Sequence, residues 1–297
     1  MFYRLKRNIK YFKFYRQISR IFDTPPIAYQ EAPLTIVSMV AGYDVPMYIL
    51  AMKAFYRRLQ RGKITVVADG IDAKSRDLIR KHLGPVRFIN LEDVDTGACP
   101  RGGTWERLVH IIHNTAHEYT IQMDADILCV GPIPEVLECV EHNRAFTLSD
   151  SEGIPIKPLL DWAGEPRVSD NVVIAFEKRA AKFPNSDKVL YLRGSSGFAG
   201  FAKGAIDIEF LETFHRNGLT LMGERWKEWG TEQIASNFVV ANSPHSLLLP
   251  VPAYLTWERH KLPEQISLLH FLGYCRFDQG VFPRLANIEI DALLQGR

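Results

Sequence analysis

The sequence predicts an α/β protein with a mostly parallel central sheet covered by helices on both faces. Three observations carry this. Apolar runs of strand length alternate with segments of helical period, the connections are short, and glycine or proline marks most of the joins. Residues 34–40 (LTIVSMV) are a continuous apolar run, as in a strand buried on both sides. Asp44 can cap a helix whose early Pro46 needs no amide donor, and that helix runs to about Leu59 before Gly62. A second strand at 64–68 closes on Asp69 and Gly70. A polar helix over 73–83 leads through Gly84-Pro85 to a third strand at 86–89. Gly102-Gly103 opens a helix from Trp105 to about His117.

Residues 119–127 (YTIQMDADI) read as a strand running into a loop. Pro132 and Pro134 restart a helix through about Glu141, and 145–148 is a further strand. The stretch 149–192 is less regular, as expected of a functional loop region. Beyond it the pattern predicts a strand near 197–202, helices near 205–217 and 229–240, and a C-terminal tail ending in short helical turns. No internal repeat is visible.

At 297 residues, 46% hydrophobic and 24% charged, the chain has the composition of a folded domain, not a disordered one. No apolar run reaches the roughly 18 residues that span a bilayer, and the basic N-terminus lacks the apolar stretch of a secretory signal. Cys99, Cys129, Cys139 and Cys275 have no metal-knuckle spacing and read as free thiols.

Charge divides the chain unevenly. The first 22 residues hold seven of the 36 basic side chains and no acid, leaving 29 basic against 34 acidic side chains, a formal −5. An acidic body argues against nucleic acid as a partner. The basic residues are interleaved with Phe, Tyr and Ile, a pattern that suits either contact with an anionic membrane surface through residues 1–22 or packing against the chain's own body. Pro25-Pro26 ends the segment, so the expected organisation is an arm at 1–26 and one catalytic domain at 27–297.

Asp124-Ala125-Asp126 stands where a buried strand ends. Residues i and i+2 project to one side, so both carboxylates can address one ion, and hard oxygen ligands suit Mn²⁺ or Mg²⁺. The plainer alternative is two solvated carboxylates. In His270-Phe-Leu-Gly-Tyr-Cys-Arg276, a neutral imidazole can complete an oxygen-rich metal site. Arg276 there offers forked donors to a phosphate, and Gly273 lets backbone approach it closely. His110, His113 and His117 share a helix face, but no glutamate completes a zinc-protease motif, and they read as a solvated or substrate-lining face. Trp226-Lys-Glu-Trp229 reads equally as an acceptor platform or as core.

Together these residues resemble the GT-A glycosyltransferases, and most of all family 8, whose members carry D-x-D and a C-terminal H-x-x-G-x-x-K. The match here is H-x-x-G-x-x-R. Ser195-Ser196-Gly197 resembles the family's N-S-G turn, and Glu232-Gln-Ile-Ala-Ser-Asn237 resembles its D-Q-x-x-x-N. The resemblance spans roughly residues 34–276. It implies a GT-A (Rossmann-like) fold and a hexosyl transfer, with retention, from a nucleotide-sugar, UDP-sugar first, to a carbohydrate or lipid-linked acceptor. Surface polysaccharide or glycolipid synthesis is the implied setting. The ligands of Mn²⁺ or Mg²⁺ would be Asp124, Asp126 and His270. Donor contacts would come from Val37, Ser38, Tyr43, Asp69, Arg107, Asp124, Ser196, Gly197, Gly273 and Arg276. Glu232 and Gln233 would lie at the anomeric carbon, and acceptor contacts near 149–192. The arm fits a cytoplasmic enzyme at the inner face of a membrane. Two other readings are a non-catalytic scaffold of the same fold and a sugar-nucleotidyltransferase; residues 40–45 lack the basic, Gly-rich signature of the latter.

Overall fold

The structure is a computed structural model in which residues 2–150, 152–165 and 169–296 are described. In chain order the elements are α1 (Phe2–Gln17), β1 (Leu34–Ala41), α2 (Val45–Leu59), β2 (Lys63–Asp69), α3 (Ala73–Leu83), β3 (Val86–Asn90) and α4 (Trp105–Thr115). There follow β4 (Tyr119–Met123), β5 (Ile127–Cys129), α5 (Pro134–Glu141), β6 (Phe146–Ser149), β7 (Lys157–Pro158), α6 (Val172–Glu177), β8 (Leu190–Tyr191) and β9 (Gly194–Phe201). The chain closes with α7 (Ile208–Met222), α8 (Thr231–Asn242), β10 (Leu247–Leu249), β11 (Tyr254–Trp257), β12 (Leu268–Phe271) and α9 (Val281–Leu294).

The expected α/β architecture is present. Seven strands form the main sheet in the order β10-β6-β9-β4-β1-β2-β3. β10 pairs with β6, and β4, β1, β2 and β3 pair successively, all in parallel; only β9 runs antiparallel to both its neighbours. The apolar run of β1 explains its central place: its first five residues are buried, with α2 and α4 both packed on it. Asp72 caps α3 by accepting from the Ser75 amide at 2.7 Å.

Several sequence expectations change. The strand expected at 119–127 stops at Met123, and Ile127 opens β5, which belongs to a second sheet ordered β11-β12-β5. The C-terminal tail ends not in short helical turns but in a 14-residue helix, which follows three short strands. Strands of three or four residues show too little pattern to be read as such. Asp44 stands at the start of α2, but its side chain makes no cap hydrogen bond. The N-terminal segment packs on the body: Phe14, Ile18 and Ile21 are buried in the main core, while Phe12 is 64% exposed. Among the described residues no helix is long and apolar enough to cross a membrane.

The two sheets meet at residues 124–126. The Asp124 amide donates to the Gly197 carbonyl of β9 at 2.8 Å. Two residues later the Asp126 carbonyl accepts from the Phe271 amide at 3.0 Å, and β5 pairs antiparallel with β12 so that His270 faces Ile127. One short loop is thus stitched to β9 on one side and β12 on the other, which carries His270 to the two aspartates.

Candidate metal and nucleotide centre

Asp124, Asp126 and His270 each offer one ligand atom, and the three atoms lie within 4.8 Å of one another. Among the described residues this is the one such group; His110, His113 and His117 do not form another. His270 Nε2 is 3.5 Å from Asp126 Oδ1 and 4.0 Å from Asp124 Oδ2. The outer oxygens are held elsewhere. Arg107 donates to Asp124 Oδ1, and Arg276 donates to Asp126 Oδ2 at 2.5 Å. Each arginine therefore fixes the far side of a carboxylate and leaves the near oxygen facing the imidazole.

Electrostatics agree with this geometry. Burial pushes the His270 imidazole down, but Asp126 and then Asp124 outweigh it, so its pKa ends above the ordinary value. Burial would likewise raise Asp126, yet Arg276 and His270 together hold it low. A site that holds Asp126 charged and favours positive charge at its imidazole is one that attracts cations. Two hard oxygens and a nitrogen suit a divalent ion such as Mn²⁺ or Mg²⁺, so the donor set fits.

Strand β9 supports the ring. Ser195 Oγ is 2.9 Å from His270 Nδ1; a proton there, donated to Ser195, leaves the Nε2 lone pair facing the carboxylates. Gly197 leaves space for the imidazole, since a Cβ would sit 2.5 Å from His270 Cε1. A Cβ at Gly273 would press on the Arg276 guanidinium at 3.2 Å, so close packing there constrains the arginine.

The remaining expected site residues fall into three places. Tyr43 and Asp69 line an opening of about 440 Å³ at the ends of β1 and β2, together with Gly42 and Gly70. A Cβ on Gly42 would meet the Gly70 carbonyl at 2.9 Å, so this mouth needs glycine. Val37 and Ser38 are wholly buried within β1, which removes their side chains from any contact with a ligand.

Glu232 is buried too, with four donors around it. Thr104 Oγ1 and Ser196 Oγ each donate to Oε2 at 2.9 Å, while Gln122 Nε2 at 3.3 Å and Arg107 at 3.4 Å reach Oε1. Burial raises its pKa despite Arg107 and the two hydroxyls. Gln233, by contrast, lines a cavity of about 550 Å³ with Ser149, Asp150, Arg193, Ser195 and Glu258. Part of the irregular region 149–192 thus forms the wall of a cavity that includes Ser195, the partner of His270.

Arg107, expected at the donor, is 2% exposed and joins Asp124 to Glu232. Gln122, Thr104 and Tyr11 were not anticipated. Tyr11 accepts from Arg276 at 2.8 Å. Position in the strand alternation could have flagged Gln122, a polar residue on a buried strand; nothing local marks the other two. Of the Trp226–Trp229 pair, Trp226 is core and Trp229 is 78% exposed beside a groove of about 390 Å³.

No family model matches the chain, and no curated protein does. Solved structures match over most of it at low identity. A galactosyltransferase, LgtC, in complex with donor and acceptor sugar analogues is 12% identical, with TM-score 0.45 over 86% of this chain and 95% of its own. The apo bifunctional glycosyltransferase WbbM is 11% identical, with TM-score 0.49 over 86% of this chain and 49% of its own. Core-mannan synthase A of Aspergillus fumigatus, in its Mn/GDP form, is 10% identical, with TM-score 0.42 over 76% of this chain and 72% of its own. The likenesses stop at the fold and single out no one family.

Proposed function

We propose that this chain is a divalent-cation-dependent glycosyltransferase of GT-A type that takes its sugar from a nucleotide-sugar, UDP-sugar first. The observation that carries the reading is the convergence of Asp124 Oδ2, Asp126 Oδ1 and His270 Nε2 at the end of β4, where ligands bind in open α/β sheets. In this reading Mn²⁺ or Mg²⁺ at these three residues supplies positive charge to the leaving diphosphate.

The chain's own residues do the rest. Tyr43 and Asp69 receive the nucleoside at the mouth of β1 and β2. Arg276, bound to Asp126 and 13% exposed, adds a second positive charge beside the three ligand atoms, toward a diphosphate. Gln233 faces the cavity and meets the reacting sugar. Glu232, ringed by donors, positions Arg107 and Ser196 and does not serve as a covalent nucleophile. Retention then proceeds by same-face attack, with the acceptor (a carbohydrate or lipid-linked sugar) entering along residues 149–195.

The exposed face of α1, with Phe12, Lys13 and Arg16, supports peripheral contact with an anionic membrane. Deleting residues 1–22 should release the protein from anionic vesicles; undiminished binding would contradict that assignment. The reaction itself is tested by donor hydrolysis across UDP-, GDP- and CMP-sugars with and without Mn²⁺. The expected result is cation-dependent turnover of one nucleotide class. No binding of any nucleotide by the folded chain would favour a scaffold role.

A further inference from the structure

We propose that α1 is a working wall of the donor site, in which Tyr11 is a positioning residue for both Arg276 and Tyr43. The inference rests on the nucleotide-sugar reading above and adds to it an element that no motif in the chain assigns.

The inner stripe of α1 is Tyr11, Phe14 and Tyr15, continued by Ile18 just past its end, while Phe12, Lys13, Arg16 and Gln17 point outward. Phe14 and Ile18 are buried and anchor the helix, Phe14 lying 4.9 and 4.6 Å from the Phe277 and Phe282 rings. The two tyrosines do something different, because each touches a residue of the candidate donor site. The Tyr11 hydroxyl accepts from Arg276 Nη1 at 2.8 Å, and the other arm of that guanidinium reaches Asp126. The Tyr11 ring meets the Tyr43 ring edge-on at 5.9 Å. The Tyr15 hydroxyl donates to the Tyr43 carbonyl at 2.6 Å.

One helix thus touches two groups that stand around the candidate donor site. These are the aromatic ring at the mouth of β1 and the arginine beside the metal-facing carboxylate. A guanidinium held by one contact swings; held by Asp126 on one arm and Tyr11 on the other, it keeps its plane. Tyr43 is 63% exposed, and its Tyr11 and Tyr15 contacts restrain both ring and backbone. Preorganised groups bind a ligand without the ordering cost that free ones incur. Coupling is reciprocal: if docked α1 favours nucleotide, then bound nucleotide keeps α1 docked.

The test measures UDP affinity in saturating Mn²⁺ for wild type, Tyr11→Ala, Tyr11→Phe and the outward-facing control Phe12→Ala, with folding followed by thermal denaturation. It also measures tryptic cleavage at Lys13 and Arg16 with and without UDP. Loss of one charge-assisted hydrogen bond and the ring contact predicts roughly a tenfold weaker UDP affinity for Tyr11→Ala. Tyr11→Phe, which keeps the ring, should fall between it and wild type, and Phe12→Ala should match wild type. UDP with Mn²⁺ should slow cleavage of α1 in wild type. If Tyr11→Ala does not fold, Tyr11→Phe and the cleavage assay decide. Wild-type UDP affinity in the Tyr11 variants, or cleavage indifferent to UDP, overturns the role of α1 alone. Wild type that binds no nucleotide overturns the donor-site reading and this inference with it.

Discussion

Two buried clusters in this molecule are built from the same parts and end in opposite roles. In α9, Glu289 is 3% exposed and meets two arginines from α2. Arg57 and Arg58 both reach its Oε2, and Arg58 also reaches Oε1 at 2.9 Å. Both oxygens are capped, so the cluster joins two helices and offers nothing to a ligand. At the end of β4, two arginines meet two carboxylates instead of one, and each takes one oxygen and leaves the other facing His270. Burial and arginine pairing do not by themselves mark a functional site. What marks it is a set of near-side ligand atoms that converge and are not consumed by their neighbours.

The largest effect expected from this contrast is at Asp126. Asp126→Asn removes a ligand charge from the converging set and should abolish measurable Mn²⁺ binding in isothermal titration. Binding retained within a fewfold would break the contrast. Glu289→Gln should act the other way round. Truncating one member of a buried charge cluster costs about 3–5 kcal/mol of stability in urea unfolding, while Mn²⁺ affinity of the folded protein stays put. If metal affinity fell with stability, the two clusters would not be separable.

A third test concerns a buried base with no opposite charge beside it. His82 is 1% exposed, and burial, with Lys53 and Lys81, depresses its pKa to about 4. The native state then refuses a proton that the unfolded chain accepts below its ordinary value near 6.5. Its contribution is fully present above that pH and is lost as pH falls toward 4, on the order of 3 kcal/mol at most. Unfolding free energies at pH 7, 5.5 and 4.5 should decline along that window, less steeply in His82→Leu. An identical decline in both proteins would assign the loss to other groups. The smallest effect is at Gly197. A methyl group there displaces the His270 ring, and disturbing a metal ligand through its support costs roughly tenfold or somewhat more in affinity. Gly197→Ala with wild-type Mn²⁺ affinity would show that the ring has room to spare.

How legible was all this in the sequence? The sheet from β1 to β4 was, because strand-length runs rich in apolar residues alternate there with helical segments, and glycine or proline marks most of the joins. Asp124 and Asp126 were legible for the same reason, since a strand end and an i, i+2 spacing are local facts. His270 entered through its motif, because its proximity to Asp126 comes from the β5–β12 pairing of strands too short to show a period. Arg107 and Glu232 entered through the resemblance, since locally they are only charged residues of two helix N-terminal turns. They are buried because α4 and α8 bring them together across 125 residues of chain. The N-terminal helix carried two faces in its sequence, but which surface would cover the inner one is settled only by distant partners: Tyr43, Arg276 and Phe282.

The most direct test of the central claim is a Mn²⁺ titration of the wild-type chain, alone and with UDP. One cation should bind, and UDP should tighten it, since a diphosphate would add oxygen ligands to the two oxygens and one nitrogen that the protein supplies. A chain that binds no Mn²⁺, or binds UDP equally well in chelator, would contradict the assignment of Asp124, Asp126 and His270 as the metal centre.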